Sequence, residues 1–330
     1  VLRRPLLAIA VVVSLALASC GTDDGSTALE RSVSSATTES TVTTTTASTT
    51  STTEAPSTTA PPFRLAGAIH ATGPKHLAER VVEAEQVARD PGAGDDAVAA
   101  AAFELQQLYR QLGRNPAWDA EVLADTPEDL HLTVANNAAA RREFRSMHSK
   151  LSDTLPAWRI VVPPPADELV AHYQEGEATF GVPWEILAAV NLVETGMGRI
   201  RGTSVAGAQG PMQFMPATWD AFGEGDVNDP HDAIMGAARY LAHNGGGRGE
   251  IDSALWNYNH SNKYVRGVKQ YAAIMEQDPS AFHVFYHWQI VYLSTVGDVW
   301  LPTGFEQADR VPVVDYLGTN PDHHLGAATN

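Results

Sequence analysis

Residues 182–199 read VPWEILAAVNLVETGMGR, and this stretch decides the fold. Pro183 suits the start of a helix, which Ile186, Leu187, Val190 and Val193 carry forward as an apolar series. Glu194 closes that series, with Val190 and Leu187 one and two turns back on its own face. A carboxylate in such a setting loses hydration, and at a helix C-terminus it also meets the negative pole of the macrodipole. Both effects favour the protonated form and raise the pKa, as a general acid working near neutral pH requires. Gly196 and Gly198 follow, allowing a sharp exit that leaves the carboxyl unshielded. Arg199 and Arg201 would pull the pKa back down if they reached it. Taken alone, a Glu at a helix end is ordinarily a solvated surface residue.

Helical signals continue on both sides. A helix over 166–180 should end near Gly181, and further helices are predicted from Pro216, over 230–241, over 251–256 and from Ser261 to about Met275. With no long strand between them, residues 161–280 read as one mostly α domain. Asp229 and Asp232, around Pro230, are explained as helix capping and dipole complementarity. Residues 63–160 read as a helical hairpin or small bundle. Val98, Ala101, Ala102, Leu105, Leu108, Tyr109 and Leu112 form one amphipathic face, and a second helix is expected to be capped by Thr126 ahead of Pro127. Residues 281–330 read as a β-hairpin and tail: strand-rich from His283 to Leu293, turning at Gly297-Asp298, and loose after Tyr316.

The chain opens with an export pattern over 1–20. Arg3 and Arg4 precede an apolar run, and Leu17-Ala18-Ser19-Cys20 resembles a lipobox, the site where bacterial lipoproteins are acylated on Cys and cleaved. Cys20 is the single Cys of the chain, so no intramolecular disulfide forms. Residues 21–62 are dominated by Thr and Ser and are expected to be a disordered linker from the anchor to the globular body. A membrane partner is therefore expected through a lipid at Cys20, placing the body on the outer face of the plasma membrane. With 39 Asp and Glu against 22 Lys and Arg in 330 residues, the formal net charge is -17. That charge argues against nucleic acid as a partner, and a carboxylate-bearing polymer would have to be held by local contacts.

Two further stretches carry chemistry. Residues 204–219 read SVAGAQGPMQFMPATW. Gly207 and Gly210 permit close backbone approach, Gln209 and Gln213 suit sugar hydroxyls and N-acetyl amides, and Met212, Phe214 and Met215 offer apolar surface. Residues 256–260 read WNYNH, followed by Ser261 and Tyr264. Here Tyr258 is placed to hydrogen-bond a carboxyl and Asn259 to orient a sugar amide, and Tyr264 joins the candidate substrate contacts.

Together Glu194-Thr195-Gly196, GAQGPMQFMP at 207–216 and Tyr258-Asn259 resemble, in order and spacing, the lytic transglycosylases of the lysozyme-like SLT type. The YNHSNKYV run at 258–265 is closer to the membrane-bound B type of that group. The resemblance covers about residues 166–276. Thr195 stands where the family usually has Ser, and Pro211 where many members have Leu. It implies a lysozyme-like fold acting on peptidoglycan glycan strands, with no metal or cofactor. Glu194 would be the sole acid and base, first protonating the bridging oxygen between N-acetylmuramic acid and N-acetylglucosamine. It would then deprotonate the muramic C6 hydroxyl, closing a 1,6-anhydro ring. Gln213, Tyr258 and Asn259 align with substrate-contacting positions, and Gln209 and Met212 follow less directly.

Two alternatives stay open. A muramidase would need a second carboxylate, for which Glu224, Asp226, Asp229 and Asp232 are candidates. A wall-binding lipoprotein without catalysis would not need Glu194. The Asp226–Asp229 run lacks calcium-loop spacing; zinc is conceivable at His283 and His287 or at His323-His324 in the tail, but the strand histidines beside Phe285 and Trp288 read as packing residues. No sequence feature names a protein partner.

Overall fold

A computed structural model describes residue 65 and residues 67–326. The export segment, Cys20 and the Thr/Ser-rich stretch lie outside the described residues. The described part opens with helices α1 (Pro74–Ala88), α2 (Asp95–Arg114), α3 (Asp119–Ala124) and α4 (His131–Ser146). The short strands β1 (Thr154–Leu155) and β2 (Arg159–Ile160) lead to α5 (Ala166–Phe180), α6 (Trp184–Thr195) and β3 (Ile200–Arg201). Four helices follow: α7 (Pro216–Phe222), α8 (Pro230–His243), α9 (Ile251–Tyr258) and α10 (Asn262–Gln277). The chain closes with α11 (Ala281–Tyr286), β4 (Ile290–Ser294), β5 (Gly297–Leu301), β6 (Val311–Pro312) and α12 (Val313–Thr319). This is the mostly α architecture expected of a lysozyme-like fold, with a small β-hairpin near its end.

The elements around Glu194 follow local signals. α5 stops where Gly181 adopts a left-handed conformation, and Pro183 leads directly into α6. α8 is capped by Asp229, whose side chain accepts from the Asp232 N–H at 3.1 Å. α10 is capped by Ser261, and its residues 264, 268, 271 and 275 recur at helical spacing as one buried face.

One hydrophobic core joins helices from both sides of the Pro163–Pro165 joint. α10 packs against α4 on one side and α6 on the other, so the earlier helices form a wall against which α10 is held. A second core lies under the hairpin, where Leu155, Trp158, Ile160 and Ile200 meet Ile290, Tyr292, Val299 and Leu301. β4 and β5 pair antiparallel with Ile290 opposite Leu301 and Ser294 opposite Gly297. The two cores touch where β4 crosses the end of α6. Gly196 has φ 61, and a Cβ there would lie 2.6 Å from Ile290 Cδ1.

Four expectations are corrected. Thr126 does not cap a helix: its hydroxyl donates back to the Leu123 carbonyl, a 3-10 turn fills Glu128–Leu130, and α4 starts at His131. Residues from His283 do not begin a strand. Phe282 and Phe285 lie three apart on α11 and pack against Tyr173, Trp184 and Tyr271, so burial of a helical face overrides β propensity. The hairpin turns at Thr295-Val296 instead, closed by the Ser294 hydroxyl donating to the Gly297 carbonyl. The segment after Tyr316 is also ordered: α12 runs to Thr319, and Leu325 N–H donates to the Asp298 carbonyl at 2.9 Å.

The hairpin is tied to α2 by buried charge. Arg110 forks onto both Asp298 oxygens at 2.7 and 2.5 Å, and Arg114 adds a contact at 2.9 Å. Burial alone would push the Asp298 carboxyl up. Arg110, through charge and hydrogen bonds, then Arg114 and Arg141, outweigh that and hold it well below the usual carboxylate range.

Candidate active site

Glu194 sits in the last turn of α6 with 2% of its surface exposed. Its Oε1 accepts the Tyr264 hydroxyl at 2.8 Å, and its Oε2 has no hydrogen-bond partner among the described residues. Burial raises its pKa, and the Tyr264 hydrogen bond, which favours the anion, offsets only part; the result is about 7. The carboxyl is therefore poised between its two protonation states near neutral pH, with one oxygen held and the other free. Arg199 does not relieve this. It donates to the Tyr286 carbonyl at 2.7 Å and lies over the Tyr286 ring. Arg201 donates to the Asn228 carbonyl instead.

The Gly-Gln loop is fastened to α6 beside Glu194. The Pro211 carbonyl accepts from Asn191 Nδ2 at 2.9 Å and from the Thr195 hydroxyl at 2.6 Å. The same Thr195 oxygen accepts from the Gly198 N–H at 3.0 Å. Thr195 thus supplies the hydroxyl that Ser would, and Pro211 contributes only its backbone. The loop closes on itself through paired backbone hydrogen bonds between Gln209 and Phe214, both 2.8 Å. Gly210, at φ 72, lies so close to the Val227 carbonyl that no side chain fits there.

The predicted site residues fall into this frame, with changed roles. Tyr258 does not bind a carboxyl; its hydroxyl donates to the Met212 carbonyl at 2.6 Å and clamps the loop onto α9. Tyr264, expected to contact substrate, is fully buried and is the residue that bonds Glu194, because its place in the first turn of α10 faces α6. The two tyrosine rings lie parallel, 6.4 Å apart. Phe214 and Met212 are buried rather than offered as apolar surface. Phe214 packs edge-on to Trp219 at 5.2 Å and tilted to Tyr258 at 6.3 Å. Gln213 is buried at φ 51, with its Nε2 donating to the Gly210 carbonyl at 2.9 Å. Gln209 is half-buried on the loop, and Asn259 is buried just past the end of α9.

Asn191 went unassigned in the sequence, although one polar residue inside an apolar helix three positions before Glu194 is a usable signal. The Tyr173 hydroxyl donates to its Oδ1 at 2.7 Å, fixing the amide that holds Pro211. Potential metal ligands occur elsewhere: His172, Glu175 and His231 bring ligand atoms within 4.8 Å of one another on α5 and α8. His231 is already satisfied, hydrogen-bonded to Glu175 at 3.1 Å and to Asp232 at 3.4 Å.

Residues 172–279 match the family model described as the transglycosylase SLT domain. The segment is similar to the SLT domain of lytic transglycosylases. A curated relative, membrane-bound lytic murein transglycosylase F of Thiobacillus denitrificans (strain ATCC 25259 / T1), is 36% identical over 75 residues. That alignment spans 23% of this chain and only 16% of the relative. No solved structure matches the chain. The matched segment holds Glu194, the Gly-Gln loop, Tyr258 and Tyr264, while α1–α4 and the hairpin lie outside it. Among the described residues, no helix is long and apolar enough to cross a membrane.

Proposed function

We propose that this transglycosylase domain cleaves the β-1,4 bond between N-acetylmuramic acid and N-acetylglucosamine in peptidoglycan, with Glu194 as both acid and base. The neutral carboxyl donates its proton to the bridging oxygen as the C–O bond breaks. The resulting carboxylate takes the proton of the muramic C6 hydroxyl, whose oxygen closes on the anomeric carbon as a 1,6-anhydro ring. Atoms balance without water, and Glu194 ends as it began. The observation that carries this reading is the buried carboxyl with a pKa of about 7, one oxygen anchored on Tyr264 and the other unpartnered.

The candidates for a hydrolase's second carboxylate are otherwise engaged. Glu224 pairs with Arg239, Asp226 accepts from the Asn228 N–H, Asp229 caps α8, and Asp232 accepts from the Asp226 N–H. This supports transglycosylation over hydrolysis. The export pattern and Cys20 support a lipid-anchored enzyme on the outer face of the plasma membrane.

The test is digestion of purified sacculi with the full chain and with Glu194→Gln, followed by mass analysis of the muropeptides. Anhydro ends, one water lighter than reducing ends, are expected from the unaltered chain. The variant should fall about 1000-fold in rate, within the range for loss of a general acid. Reducing ends would make the enzyme a muramidase. Undiminished release by the variant would remove Glu194 from the mechanism, and no release by the unaltered chain would leave a wall-binding protein.

A further inference from the structure

Arg159 and Arg201 stand directly opposite each other where β2 and β3 pair. Like charges at such a position repel, and nothing in the ladder requires two arginines there. Neither forms an ion pair among the described residues, in a chain whose acidic groups far outnumber its basic ones. Glu306 meets Arg159 only through a backbone bridge. Arg201 is half-buried, with its charge disfavoured first by lost hydration and then by Arg159. Its one hydrogen bond among the described residues goes to the Asn228 carbonyl at 3.2 Å.

The pair lines an open cavity of about 500 Å³. Gly202 and Gly210 form part of its wall, and Asn228 another part. Gly210 immediately precedes Pro211, whose carbonyl is held by Thr195 beside Glu194. β3 itself begins six residues after Glu194. The cavity therefore lies against the outer side of the loop that flanks the catalytic carboxyl, and its size suits a short peptide or sugar. Two cationic forks without a counter-ion, Arg159 exposed and Arg201 half-buried, are a receptor for carboxylate.

We infer that Arg159 and Arg201 form a subsite for a carboxylate carried by the muramic residue of the bound strand, from either its peptide side arm or its lactyl group. This inference rests on the proposed peptidoglycan substrate and adds to it a contact outside the reacting bond. It also answers how an acidic protein holds an acidic polymer: two local arginines act within a Debye length, while repulsion from more distant charges is screened.

The test is equilibrium binding to the full chain carrying Glu194→Gln, so that no ligand is consumed. Three probes are used: a GlcNAc-MurNAc-peptide with free peptide carboxylates, the same molecule with those carboxylates amidated, and peptide-free GlcNAc-MurNAc with its lactyl carboxylate free. Adding Arg159→Gln and Arg201→Gln should weaken a free-carboxylate probe about tenfold and leave the amidated one unchanged. Arg159→Lys and Arg201→Lys should retain most of the preference. Loss confined to the peptide-bearing acid identifies the peptide as the source; loss for the peptide-free probe identifies the lactyl group. Equal loss across all three probes, or none, would overturn the inference while leaving the proposed reaction standing. Failure of the unaltered arginine pair to accompany any binding would remove both. A thermal melt of each variant separates misfolding from lost recognition.

Discussion

Two carboxyls lie buried in this molecule and meet opposite fates. Glu194, at the end of α6, has a tyrosine hydroxyl and an unpartnered oxygen, and its pKa rises to about 7. Asp298, on β5, is forked by Arg110, approached by Arg114, and remains ionised far into acid. Burial is common to both. What differs is the supply of positive charge: it keeps Asp298 ionised in a structural latch, and its lack leaves Glu194 poised for the proposed chemistry. The arginine nearest Glu194 in sequence, Arg199, is turned away to Tyr286, which keeps Glu194 from sharing the fate of Asp298.

The contrast can be broken most severely at Asp298. Asp298→Ala would leave Arg110 buried without its partner, and removing one side of such a pair costs about 3–5 kcal/mol. Denaturant unfolding should show that loss, and a change under about 1 kcal/mol would mean the latch is not structural. The pH dependence of stability is the next test, because the two groups have opposite signs. For Asp298 the folded pKa is depressed, so its contribution is present above the ordinary carboxylate range and disappears as pH falls below it. For Glu194 the folded pKa is raised, so the native state binds the extra proton and loses stability as pH climbs from 4.5 to about 7. Glu194→Gln should therefore be more stable than the unaltered chain by up to about 3 kcal/mol at pH 8, with the gain vanishing below pH 4.5. Thermal melts across pH measure this, and a pH-independent difference would contradict the buried, raised carboxyl. The smallest effect is expected from Tyr264→Phe. Loss of the one hydrogen bond that favours the anion should move the pH-rate limb governed by Glu194 upward by about one unit. Movement in the other direction would mean the tyrosine stabilises the neutral acid.

Much of the frame around Glu194 was legible because it is written locally. Gly181, Pro183, Asp229 and Ser261 each mark a helix boundary by the conformation or hydrogen bond they favour, and α5, α6, α8 and α10 begin or end there. The partners were not legible, because they are set by packing between distant segments. Tyr264 reaches Glu194 across 70 positions, and Arg110 reaches Asp298 across 188. Tyr258 and Tyr264 stand six apart in similar surroundings, and only the docking of α10 against α6 decides which hydroxyl meets the carboxyl. The same limit explains α11: its aromatic residues favour strand by propensity, but Tyr173, Trp184 and Tyr271 await a helical face.

The contact of Gly196 with Ile290 bears on how such a domain can be inherited. The recognisable segment stops at residue 279, yet the strand pressed against the end of α6 begins at Ile290. Leu192, Val193 and Gly196 face Trp288 and Ile290 across a small cavity. A recombination event that moved only the recognisable segment would strip that cover and wet the helix end whose dryness holds Glu194 near neutrality. What passes intact between proteins must then be larger than what sequence similarity outlines, or the recipient must bring a lid of its own.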